Sequence, residues 1–262
     1  MTASFTLLWI CKWVSLAALL QTLEFFFMRP AFQESGVWRW SLIRRDFISW
    51  PRWIRSPLDL LLGDRGFDAV LGARFLAAAG LLFLPRLSPL LLLILLFSTL
   101  LICVRWRGPF NGGSDSMTVL LLLVLGVVSW NPGDPVWARA ALWYIALQTC
   151  FSFLIAGLVK IRHASWRNGE ALQGILRLPT YEIPPAARRL ADFPRFCRAS
   201  SWALLLFECS FPLALLHPLS AVFYLCAAVA FQLANFYVFG LNRFVWAWLA
   251  AYPAVLWCSG GI

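Results

Sequence analysis

Eight apolar runs of roughly membrane-crossing length follow one another along this chain of 262 residues, at 5–28, 67–85, 87–104, 117–131, 137–159, 201–216, 219–240 and 243–258. A bilayer core of about 30 Å is crossed by about 20 residues of helix, so runs of this length predict transmembrane helices. Hydrocarbon offers no water to the backbone, and the helix satisfies its polar groups from within the segment. The expected fold is therefore all-α: a polytopic integral membrane helical bundle of about eight transmembrane helices, with residues 1–262 forming a single transmembrane domain. Only Pro85-Arg86 separates the second run from the third, and only His217-Pro218 the sixth from the seventh, so each pair is expected to form a tight helical hairpin. The fourth and last runs are short and suit a re-entrant or tilted segment. The first run has no basic stretch before it, contains Lys12 and lacks a small-residue cleavage site; it is expected to remain as a span, not to act as a signal peptide.

Composition agrees with that reading. Hydrophobic residues make up 61% of the chain and charged residues 13%, which places it in the membrane class. The net charge of +10 is concentrated in two longer connections, 29–66 and 161–200, rich in arginine, tryptophan and proline. These read as interfacial basic and aromatic segments that meet the headgroups of the lipid bilayer, and no nucleic-acid partner is expected. Trp38, Trp40, Trp50, Trp53, Trp106, Trp130, Trp137, Trp166 and Trp202 lie beside charges or at run ends, as members of aromatic belts would. Counting loops alternately puts nearly all of the basic residues on one side, which the positive-inside rule makes cytoplasmic in a multi-pass protein of the cell membrane. The seven cysteines form no CxxC pair and read as small apolar residues; with only His163 and His217 besides, no metal site is expected.

Against this apolar background a few polar side chains become candidates for chemistry. Only Lys12 and Lys160 among the 22 basic residues are lysines. Lysine, unlike arginine, can release its proton when desolvated and act as a base, so Lys160 is the first catalytic candidate; the alternative is a lysine that snorkels to the headgroups. Ala156 and Gly157 would let a second helix approach closely just where that lysine emerges. Glu208 lies within the sixth run, where a carboxylate must be paired or protonated, and Arg74 of the second run is the partner considered for it. Gln232, Asn235 and Asn242 fall at i, i+3 and i+10 and are expected on one helical face, either lining a polar cavity or bonding helices together.

The block Ala156-Gly157-Leu158-Val159-Lys160 followed by Trp166-Arg167-Asn168-Gly169-Glu170-Ala171-Leu172 resembles the pattern after the fifth helix of the horizontally transferred transmembrane (HTTM) superfamily. That superfamily includes the membrane domain of vitamin K-dependent gamma-carboxylase and bacterial maturation proteins of a sporulation-delaying toxin. Asn111-Gly112-Gly113-Ser114-Asp115, Glu208-Cys209-Ser210-Phe211-Pro212 and Phe239-Gly240-Leu241-Asn242-Arg243-Phe244 extend the likeness over nearly all of the chain. The resemblance implies a reduced quinone as cofactor, Lys160 as the base that deprotonates it, and a small secreted peptide as the partner to be matured. Ala156, Gly157, Trp166, Gly169 and Asn111 are the motif positions. The chain departs from the carboxylase in having Asn111-Gly112-Gly113 where that enzyme has Asn-Asn-His, and it has no counterpart of the large lumenal domain, so glutamate carboxylation is not expected. The carboxylase also presents its lysine to the lumen, opposite to the side that the arginine count gives here.

Two functions follow. One is a quinol-dependent membrane oxidoreductase or peptide-modifying enzyme with Lys160 as base and a pocket near Glu208, Gln232 and Asn235. The other is a non-enzymatic membrane accessory or scaffold for peptide export or tolerance, acting through the aromatic surface of Trp38, Trp40 and Trp53.

Overall fold

A computed structural model describes residues 2–106 and 112–260. The described residues are all-helical, without a strand: α1 (Ala3–Phe27), α2 (Arg29–Phe32), α3 (Trp40–Ile43), α4 (Arg52–Leu62), α5 (Asp64–Phe83), α6 (Pro89–Arg105), α7 (Gly113–Ser129), α8 (Pro135–Arg162), α9 (Ala164–Asn168), α10 (Glu170–Leu176), α11 (Pro185–Arg189), α12 (Pro194–Ser210), α13 (Pro218–Phe239) and α14 (Asn242–Cys258). Each of the eight apolar runs is met by one of the longer helices. Four of these, α1, α5, α8 and α13, are long and apolar enough to cross a membrane; α6 and α7 are shorter apolar helices.

Sequence chemistry sets the boundaries. Pro89 and Pro218 open α6 and α13 at the position where a missing N–H costs nothing, and His217 Nδ1 accepts the Leu219 N–H at 3.1 Å. The helix of the sixth run, α12, starts at Pro194, ahead of its apolar run, and tightens into a 3-10 turn over Phe211–Leu215, where Pro212 has no N–H to continue the α ladder. Gly240 adopts a left-handed conformation (φ 69°) and ends α13, so Asn242 is the first residue of α14. The expected single stripe of three amides is thereby corrected: Gln232 and Asn235 share α13, while Asn242 belongs to the next helix.

The chain divides into two compact units, Leu7–Ala138 and Arg139–Ile262 with Met1–Thr6. In the first, α5 packs on α4 and α6, and α6 on α7. The 29–66 connection folds into α2, α3, a 3-10 turn and α4 around a core that includes Phe25, Phe32, Trp40, Phe47, Leu62, Phe67 and Trp106. Two tryptophans assigned to the aromatic belts are core residues instead. Trp40 and Trp106 are buried, Trp38 packs on Trp106 in a tilted arrangement with ring centres 4.1 Å apart, and Trp40 Nε1 donates to Asp59 at 2.9 Å. An indole that finds a partner for its N–H can be buried like any large apolar side chain. Trp53, by contrast, is 75% exposed on α4.

Three cations organise this unit. Arg105 is fully buried at the end of α6; it donates to the carbonyls of Leu62 and, at 2.6 Å, of Phe32, and approaches Asp64 at 3.4 Å. Arg74 is equally buried and donates to Gln21 (2.7 Å), Thr22 (3.1 Å), Ser98 (3.3 Å) and Thr99 (2.5 Å). Lys12 donates to the carbonyls of Leu81 (2.9 Å), Leu82 (2.6 Å) and Leu84, closing the C-terminal end of α5 where carbonyls lack helical partners. Lys12→Met is therefore expected to lower stability by about 2 kcal/mol, through the loss of charged donors to these carbonyls. Thermal unfolding in detergent measures it, and an unchanged midpoint would show that the carbonyls are satisfied without the amine.

In the second unit, α13 packs on α14, and α10, α12 and the turn between α11 and α12 bring Leu176, Cys197 and Ala191 into a small core backed by Leu172, Val238 and Phe239. The 161–200 connection is helical too, as α9, α10 and α11, with a 3-10 turn over Leu190–Asp192.

Candidate functional site

The site is built where α8 and α12 touch. A Cβ placed on Gly157 would lie 2.8 Å from Cys209 Sγ, 2.9 Å from Cys209 N and 2.9 Å from Glu208 Cβ. Only a glycine lets the two backbones come this close. Lys160 follows three residues later on the same side of α8, and its ammonium forms an ion pair with Glu208. The carboxylate is 2% exposed and the amine 22%. Burial of a lone carboxylate would be costly, and the pairing offsets that cost. Glu208 Oε1 takes the lysine, while Oε2 is buried and has no hydrogen-bond partner among the described residues.

The family-like block wraps the same amine. Lys160 Nζ lies 5.4 Å from the centre of the Trp166 ring, within range of a cation–π contact. Two constraints hold Trp166 there. Gly169 sits between α9 and α10 with φ 91°, and a Cβ on it would lie 2.6 Å from Arg198 N, so α9 and α10 are pressed against the first turns of α12. From α12, Trp202 Nε1 donates to the Arg167 carbonyl at 3.0 Å. One turn below Gly157, Phe153 stacks on Phe211 at 4.1 Å and meets Trp248 at 4.9 Å and Phe207 at 5.4 Å. An acid and an amine thus stand together at one end of an aromatic wall.

The candidates singled out from sequence are distributed unequally around this pair. Lys160, Glu208, Gly157, Trp166 and Gly169 come together, and Ala156, half-buried, precedes Gly157. Gln232 is buried on α13 and Asn235 is half-buried one turn on. The partner considered for Glu208 was Arg74, but the carboxylate pairs with Lys160, while Arg74 is engaged by the neutral side chains described above. Asn111 lies outside the described residues. Sequence reasoning named Lys160 and Glu208 without joining them, and it read Trp202 as a member of the aromatic belts only, without its bond to the Arg167 carbonyl. The signal was present: one amine ends the fifth run and one carboxylate interrupts the sixth.

Among the described residues no group of three or more His, Cys, Asp or Glu side chains could hold a metal, and the cysteines are free. No protein-family model, curated protein or solved structure matches the chain.

Proposed function

We propose that the protein crosses the cell membrane with eight helices, basic connections on the cytoplasmic side, as a member of the HTTM type. In this reading it matures or modifies a small peptide, using Lys160 as a base toward a reduced quinone. The observation that carries the proposal is the Lys160–Glu208 pair, closed over by Gly157 and Trp166, because it joins the one carboxylate of its run to the amine of the family-like block. A base needs somewhere to send the proton it already carries, and Glu208 is in contact with Lys160 to receive it. Glu208 Oε2, buried and without a hydrogen-bond partner among the described residues, would accept a hydroxyl of such a ring. A bound reduced quinone would supply reducing equivalents that dioxygen can oxidise; the side chains would supply orientation and proton transfer.

The test is epoxide formation from a reduced naphthoquinone under oxygen by the purified protein in lipid nanodiscs. Wild type is expected to form epoxide, and Lys160→Arg to form none while unfolding at an unchanged temperature, since arginine keeps the charge beside Glu208 and cannot act as the base. Epoxide from the arginine variant would remove Lys160 as the base.

A second reading is favoured by the apolar surface of α4, where Trp53 and Leu60 are 75% and 74% exposed. It makes the protein a non-enzymatic accessory in peptide export or tolerance. Trp53→Ala is then expected to impair peptide maturation or tolerance in cells more than Lys160→Arg does; the opposite ranking supports the enzyme.

A further inference from the structure

A groove in the first unit has dimensions and chemistry that neither reading uses. It runs between α5 and α6 beneath the end of α4 and encloses about 750 Å³, within the range of ligand-binding cavities. Small residues of α5 (Gly66, Ala69, Ala73) form its floor on one side, and large apolar residues of α6 (Ile94, Phe97, Leu101) its wall on the other. From Asp64 to Ala73 the groove follows α5 for about 14 Å at the helical rise of 1.5 Å per residue. That is about half of a hydrocarbon core of about 30 Å, the depth of one leaflet.

Charge is confined to one end, where Asp59, Asp64 and Arg65 line the mouth. Both acids there are already matched: Asp59 pairs with Arg44 at 2.7 Å, and Asp64 approaches Arg105 at 3.4 Å. Arg65 is exposed and has no ion-pair or hydrogen-bond partner among the described residues. The mouth therefore has one uncompensated positive charge above an apolar slot one leaflet deep. The neighbouring α4, with Trp53 and Leu60 exposed, has the character of a helix that lies at the headgroup level.

We infer that this groove seats one acyl chain of an anionic phospholipid, with the phosphate on Arg65. The inference rests on the membrane reading above but not on the role of Lys160. A single arginine near an anionic headgroup makes phosphatidylglycerol bind roughly five-fold tighter than phosphatidylcholine.

The experiment uses the full chain, purified in a neutral detergent and titrated with phosphatidylglycerol or phosphatidylcholine. Bound lipid is counted by native mass spectrometry and the unfolding temperature followed in parallel. Wild type is expected to retain phosphatidylglycerol about five-fold better and to be stabilised by it. Arg65→Gln should lose that preference while still binding both lipids, and Ala73→Phe, which fills the groove, should lose the site for both. Equal retention of the two lipids by wild type, or an undiminished preference in Arg65→Gln, overturns the inference. If Ala73→Phe does not fold, Arg65→Gln decides alone, because its substitution is on the exposed rim. A chain that is soluble without detergent would instead defeat the membrane reading itself.

Discussion

Lys160→Met is expected to lower the stability of the protein by about 3 kcal/mol, and adding Glu208→Gln is expected to restore most of that loss. Removing the amine strands a carboxylate that is 2% exposed, and a buried ion pair broken from one side typically costs more than the pair itself contributes. The lysine is 22% exposed, so some water reaches the site and the cost stays near the lower end of the usual range. Replacing both partners leaves a methionine and a neutral amide, neither of which demands a countercharge. Glu208→Gln alone should be milder than Lys160→Met, because the amine it leaves behind is the more exposed partner and retains the Trp166 ring. For a chain of this size the single variant should unfold roughly 6–12 °C below wild type. The cycle of wild type, two single variants and the double, followed by thermal unfolding in one detergent, isolates the pairwise term. A double variant destabilised by the sum of the two single losses would mean that the two groups are not energetically coupled.

Gly169→Val is expected to be comparably damaging, by about 3 kcal/mol, for two additive reasons: a left-handed residue with a β-branched side chain, and overpacking against a neighbouring backbone. The φ of 91° disfavours any L side chain, and the added Cβ would lie 2.6 Å from Arg198 N, which cannot move aside as a flexible side chain could. Relief of the clash must push α9 and α10 away from α12, and Trp166 goes with them. Gly174→Ala on α10 is the matched control: nothing lies within 4 Å of its Cβ position, and alanine is the better helix former, so it should be neutral or stabilising by about 0.5–1 kcal/mol. Equal unfolding temperatures for Gly169→Val and wild type would show that the contact with α12 does not hold this block in place.

The helices were legible in the sequence because apolar runs bounded by proline, glycine and charge leave the backbone few alternatives. Pro89, Pro218 and Gly240 fix ends that hydropathy alone only blurs; the left-handed Gly240 divides what looked like one continuous amide stripe. The tertiary roles of polar residues were less legible. Lys12 and Lys160 look alike in the sequence, each an amine in or beside an apolar run, yet one closes a helix end and the other meets a carboxylate. Which one does which depends on what lies across from it, 48 residues away for Lys160 and 69 to 72 for Lys12. Tryptophan is ambiguous for the same reason. Trp40 and Trp53 sit in one basic and aromatic connection, but Asp59 gives the buried Trp40 a partner for its N–H, and Trp53 stays at the surface.

Arg105 has a bearing on the order in which the first unit can be assembled. Its guanidinium fastens the Phe32 and Leu62 carbonyls, which precede it by 73 and 43 residues, to the end of α6. During synthesis the whole 29–66 connection is made before the side chain that locks it exists. Until α6 is complete, those carbonyls lack the donor that the folded structure gives them, and the aromatic core around Phe32 lacks Leu101, Ile102 and Trp106. The last residue of α6 therefore acts as a latch, and the early half of the chain acquires its final shape only when that latch is made.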